Sequence, residues 1–126
     1  MKIERFEDLE VWQFSRVLVK EIYILTRSKE LKNDFGLSSQ IQRCSVSIMA
    51  NIAEGFERKS KKEFLQFLFI AKASCGELRS HLYVLLDLEI ITKEKFNDLY
   101  LSVEKIFKSI NHQINTIFNL INLVIL

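Results

Sequence analysis

The sequence predicts an all-α fold: an antiparallel up-and-down four-helix bundle that fills a single domain over residues 1–126 and assembles as a homo-oligomer. Three observations carry that expectation. The chain has no proline and only three glycines. These residues punctuate turns, so the composition disfavours strand-rich sandwiches and barrels and suits a few long helices with short links. Apolar residues recur at helical spacing along four long segments. Hydrophobic residues make up 48% of the chain against 27% charged, an ordered composition and not a disordered one. A domain of this size buries roughly two-thirds of its unfolded surface and needs no staples.

The first helix is predicted from about Glu7 to Arg27. Glu7, Asp8 and Glu10 suit the positive end of a helix dipole. Two apolar stripes run along it. One holds Leu9, Trp12, Val19, Ile22 and Tyr23, the other Val11, Phe14, Leu18, Ile22 and Leu25. Together they predict a buried face wider than one neighbouring helix covers. Ser28 to Asp34 is polar and reads as a connection. The second helix starts between Leu31 and Ser38 and runs to about Phe56, with Ile41, Ser45, Ile48 and Ile52 as its core stripe. Gly55 stands where a helix-terminating glycine would.

Ser60, Lys61, Lys62 and Glu63 form a capping-box pattern that starts a third helix reaching about Leu88. This helix is apolar nearly all round, as expected of one that is central in a large core, or of one that faces its own bundle on one side and another subunit on the other. Thr92 is placed to cap the fourth helix. Phe96, Leu99, Val103, Ile106 and Ile110 follow a near-heptad spacing, and Ile114, Ile117, Ile121 and Val124 resume it after a stutter.

Three polar clusters are candidates for function. On the second helix Gln40, Arg43, Ser47, Asn51 and Glu54 share one face. They are either a solvated face or a polar seam within the bundle or between subunits, with Glu77 of the third helix as a candidate partner for Arg43. On the fourth helix Asn111, Asn115, Asn119 and Asn122 form a second stripe, exposed or bonding across an interface. The basic run Arg58, Lys59, Lys61 and Lys62 lies at the turn between the second and third helices. It is either a solvated turn or a phosphate-contacting patch that oligomerisation would multiply. No aromatic residue is expected to stack on bases there. Phe56 and Phe64 are the nearest, and Phe64 is assigned to the core.

Other chemistry is not expected. Cys44 and Cys75 form no C-x-x-C pair and read as buried reduced thiols of a cytoplasmic protein. The N-terminus lacks a signal-peptide pattern and no apolar run is long enough to span a membrane. His81 and His112 are the only histidines, too few for a diiron or zinc ligand set. No phosphate loop, nucleophile elbow or zincin motif is present, so neither a cofactor nor an enzymatic role is expected. The net charge of +2 gives no general pull toward nucleic acid, so any such role must come from local clustering.

The motifs have a recognisable order. Leu9 to Gln13 comes first, then Phe35 to Ile48, Asn51 to Phe56 (Asn-Ile-Ala-Glu-Gly-Phe), Lys62 to Leu68 and Ala73 to Leu78. In order and spacing this resembles the bacterial four-helix bundle family of 23S rRNA intervening-sequence proteins, over nearly the whole chain except its last dozen residues. The resemblance implies a ring-like homopentamer of four-helix bundles with a poorly defined biochemical role and no catalytic residues. Its signature positions fall here on Gln40, Arg43, Ser47, Asn51, Glu54, Gly55 and Glu77. A more distant likeness, to the accessory protein of diversity-generating retroelements, implies a basic barrel that engages RNA and a reverse transcriptase. The near-neutral charge of this chain departs from that relative. Two functional expectations follow: an oligomer that binds RNA or a ribonucleoprotein, or a protein-interaction scaffold without nucleic acid.

Overall fold

The computed structural model describes residues 2–125, and side-chain surroundings for residues 2–122. A short 3-10 turn, Phe6–Asp8, precedes four helices: α1 (Glu10–Thr26), α2 (Phe35–Glu57), α3 (Lys61–Asp87) and α4 (Lys93–Ile125). No strand occurs among the described residues. Helices α1 and α3 each pack against both α2 and α4, which closes four elements around one core.

Helix α1 starts later than its acids suggest. The Asp8 carboxylate accepts hydrogen bonds from the backbone N–H groups of Glu4 and Arg5, both at 3.1 Å. Glu7 and Asp8 thus belong to a separate turn, and α1 follows from Leu9. Its innermost stripe is Val11, Ser15, Leu18, Ile22 and Thr26; Trp12 and Leu25 pack only partly buried against the core. Two hydroxyls on the stripe are satisfied locally, Ser15 donating to the Val11 carbonyl at 2.7 Å and Thr26 to that of Tyr23 at 3.1 Å. The start of α2 is set by Asp34, which accepts from the Leu37 N–H at 3.1 Å.

The α4 seam follows its sequence spacing. Phe96, Leu99, Val103, Ile106, Ile110, Ile114 and Ile117 are all buried, and Ile121 is half-buried. Val124 lies outside the residues whose side chains are described. Thr92 caps the helix by accepting from the Lys95 N–H at 3.0 Å. At about 1.5 Å per residue, the 33 residues of α4 extend about 50 Å, longer than the 27 of α3 at about 40 Å. On α3 the inner face is Leu65, Leu68, Ala71, Cys75, Leu78, Leu82 and Leu85. Phe69, Ile70, Tyr83 and Val84 on the same helix are exposed, so its all-round apolar character divides into a core face and an outer one.

Gly55 does not end its helix. It is buried inside α2 and no glycine has a positive φ. A Cβ there would lie 2.7 Å from Phe67 Cβ and 3.0 Å from Phe64 Cδ1. The missing side chain lets α3 close onto α2 just before the turn that joins them. At the other end of α3, Glu89 adopts φ 58°, the one positive-φ residue described. Around it the Ile90 N–H bonds the Leu85 carbonyl at 2.9 Å and the Glu89 N–H bonds that of Leu86 at 3.0 Å. This is a Schellman cap with a side chain where glycine is favoured.

These two backbone sites give opposite expectations. Gly55→Ala should destabilise by about 1–3 kcal/mol, because the new methyl overpacks a closed interface. Glu89→Gly should stabilise by about 0.5–1 kcal/mol, because it relieves left-handed strain. Urea unfolding followed by circular dichroism measures both. An unchanged midpoint for Gly55→Ala would refute the close-approach role.

Candidate nucleic-acid interface

The basic run sits where the chain leaves α2 and enters α3. Ser60 caps α3, accepting from the Glu63 N–H at 3.1 Å and donating its hydroxyl proton toward the Glu63 carboxylate at 3.2 Å. Glu63 therefore reaches back to the hydroxyl of the cap residue and not to its backbone N–H. The four cations of the run divide into two kinds. The Arg58 guanidinium lies 2.9 Å from Glu54, 4.0 Å from Glu63 and 4.9 Å from the centre of the Phe67 ring. Its charge is balanced and it lies over an aromatic ring. Lys59, Lys61 and Lys62 are exposed and make no ion pair among the described residues. The outward positive charge of the turn is thus three lysines on a capped helix start.

A cleft of about 610 Å³ opens beside these residues. The N-terminal segment, the turn and the later part of α4 line it, and Lys59 and Lys61 stand on its edge together with Phe56 and Phe64. The two rings meet edge to face, with centroids 5.9 Å apart and planes at 89°. Phe56 and Phe64, the aromatic residues nearest the basic run in sequence, thus both reach the cleft. Phe64 packs against the core, as expected, yet it also lines the cleft. Phe56 lies two residues before Arg58 and Phe64 one helical turn after the cap, a placement the sequence displays but whose convergence depends on the tight α2–α3 contact.

The α2 polar stripe lies along the α2–α3 boundary. At its centre Ser47 and Ser74 share a 2.9 Å hydrogen bond, and the Asn51 amide donates to the Ser47 carbonyl at 2.7 Å and to its hydroxyl at 3.0 Å. Ser47 and Asn51 are half-buried, while Gln40, Arg43 and Glu54 are exposed. The proposed Arg43–Glu77 pair is not formed within the chain. Glu77 lies 3.4 Å from His81 Nε2, one turn along its own helix, and Glu54 pairs with Arg58. Arg43 has no ion-pair partner among the described residues. On α4, Asn115, Asn119 and Asn122 are exposed and Asn111 is half-buried.

Both cysteines are free and buried, and the Cys44 thiol donates to the Ser74 carbonyl at 3.0 Å. Burial, reinforced by the Glu77 carboxylate, pushes the Cys44 thiol far up. Burial also pushes Cys75 up to about 12, against a smaller opposing effect of Arg79. Thiolates are the reactive form, so neither cysteine is prepared as a nucleophile at neutral pH. Among the described residues no three His, Cys, Asp or Glu side chains gather where they could hold a metal ion, and no helix is long and apolar enough to cross a membrane.

No curated protein matches the sequence. A solved structure from Bacteroides thetaiotaomicron VPI-5482, described as a protein of unknown function from the S23 ribosomal protein family, is similar in both fold and sequence. It is 30% identical with a TM-score of 0.76, over 83% of this chain and 95% of the other. Residues 7–112 match the pattern of the family described as 23S rRNA-intervening sequence protein, a stretch that holds all four helix starts, the polar stripe and the basic turn. The chain belongs to the 23S rRNA-intervening sequence protein family.

Proposed function

We propose that this chain is a non-catalytic cytoplasmic protein: an antiparallel bundle that assembles as a homo-oligomer, a pentamer, and binds RNA or a ribonucleoprotein through its α2–α3 turns. The observation that carries the RNA reading is the charge arrangement at that turn. Three exposed lysines without ion-pair partners stand on a helix start fixed by Ser60 and Glu63. The cap fixes the backbone that carries these lysines, and repetition around an oligomer multiplies their contacts. Arg58 contributes little, because Glu54 and Glu63 already balance it.

Assembly is supported by the apolar groups the single chain leaves in water. Phe69, Ile70 and Tyr83 on α3 are 45%, 48% and 49% exposed, and Val17 and Ile24 on α1 are 59% and 60% exposed. The outer face of α3 with the adjoining α2 stripe is where a second copy would place Arg43 and Glu77 against charged partners. The same exposed apolar groups favour the scaffold reading, in which the surface takes another protein and the lysines only keep it soluble.

Two measurements test the proposal. Light scattering should give about 75 kDa, five times 14.9 kDa, and a mass near the single chain at micromolar concentration would refute assembly. Binding of a labelled single-stranded RNA should weaken steeply with salt, with a log–log slope of about −0.7 per phosphate contacted. Replacing Lys59, Lys61 and Lys62 together with Gln should abolish that binding and leave the mass unchanged. Arg58→Gln should leave the slope nearly unaltered. Wild-type protein that ignores RNA at about 50 mM salt, where such contacts are strong, would make the scaffold the correct reading.

A further inference from the structure

We infer that the cleft beside the basic turn takes one unstacked nucleotide of a single strand, its base against Phe56 and Phe64 and its phosphate on Lys59 and Lys61. This rests on the RNA reading above and extends it from charge alone to the base itself. The cleft volume of about 610 Å³ lies within the roughly 300–1,000 Å³ typical of small-ligand sites. Its walls differ in chemistry in a way that fits the parts of a nucleotide.

The aromatic wall is fixed. Gly55 lets Phe64 and Phe67 close onto α2, and Phe56 meets Phe64 edge to face. Both rings are half-buried, so each keeps area facing the cleft while the core holds it in place. An aromatic surface held in this way stacks a base of any sequence, a contact worth about 1–3 kcal/mol per base. The cationic edge adjoins it through the chain, since Lys59 and Lys61 flank the cap residue Ser60. Ser60 takes up one N–H of the α3 start, that of Glu63, and the lysine side chains beside it supply the charge for the phosphate.

The N-terminal wall has the opposite sign. The Asp8 carboxylate is held by the Glu4 and Arg5 N–H groups, and those bonds also keep its pKa below the ordinary carboxylate value. An ionised carboxylate only accepts hydrogen bonds. Adenine, cytosine and guanine carry an exocyclic amine that donates two N–H groups, whereas an unpaired uracil offers a carboxylate only its single ring N3–H. A simple inorganic anion would use the lysines and leave the rings and the acid unexplained. A nucleotide with an amino-bearing base uses all three.

The test compares three labelled 12-mers on the full-length native assembly at about 50 mM salt: oligo(A), oligo(U) and an abasic ribose-phosphate chain. Fluorescence anisotropy should show oligo(A) binding at least about fivefold tighter than the abasic chain, the lower end of one stacked base. It should also bind tighter than oligo(U). Gln113→Trp places an indole into the cleft from α4 and should erase the advantage of oligo(A) without weakening the abasic chain. Thr116→Trp does the same from the next turn and serves if the first variant loses its native mass. Equal binding of oligo(A) and the abasic chain would overturn the base site while leaving the lysine contacts intact. Equal binding of oligo(A) and oligo(U), both above the abasic chain, would overturn the role of Asp8. Failure of all three to bind would overturn the RNA reading and this inference together.

Discussion

The close approach of α2 and α3 at Gly55 governs the end of the molecule where these two helices join. Without a side chain at that position, Phe67 and Phe64 sit against the backbone of α2, and the chain can reverse within three residues. Farther along the same interface the contacts remain small and polar: the Ser47–Ser74 hydrogen bond and the Cys44 thiol on the Ser74 carbonyl. Groups this close to the interior must be satisfied, and here each finds a partner within the two helices. The α2 polar stripe is therefore neither wholly a solvated face nor wholly a buried seam. Its centre bonds inside the chain and its charged ends face outward.

From that contact the charge pattern of the turn follows. Because Phe67 is drawn in beneath the turn, Arg58 finds a ring to lie over and two carboxylates within reach. A planar guanidinium suits such a place, and a strongly hydrated lysine ammonium does not. One arginine consequently secures the turn while the three lysines remain in water. The distinction decides how a basic cluster should be read. Four like charges in five residues look equivalent in sequence, but those without a structural partner can meet a polyanion without giving up an existing ion pair.

Much of the fold was legible because the signals that set it are periodic or local. The α4 seam depends only on spacing, and its members from Phe96 to Ile117 are buried where expected. The caps at Ser60 and Thr92 are short-range patterns that the backbone obeys. Errors arose where one residue type supports two local structures. Acids near an N-terminus can serve a helix dipole or cap a preceding turn, and Asp8 does the latter. Glycine can end a helix or admit a neighbour, and Gly55 admits Phe67. Helical spacing places Arg43 and Glu77 on faces but says nothing about which partner is nearer, and the local His81 reaches Glu77 first. The cleft was least legible. Its walls come from the N-terminal segment, the α2–α3 turn and α4, and only tertiary packing brings them together.

The cleft draws on residues inside the family-matched stretch and on residues beyond it. The matched residues 7–112 include the turn, its lysines, Phe56 and Phe64, and the Gly55 contact that arranges them. The α4 wall depends in part on Gln113, Thr116, Ile117 and Leu120, beyond that stretch. Those residues do not simply overhang the bundle, because Ile114 and Ile117 are buried and continue the core seam. Burying them anchors this part of α4, and anchored turns can hold a wall. A shorter fourth helix would keep the charged turn and the aromatic pair but leave them on an open surface. The length of α4 thus converts a patch with charge and aromatic area into a concave site, the shape typical of small-ligand sites.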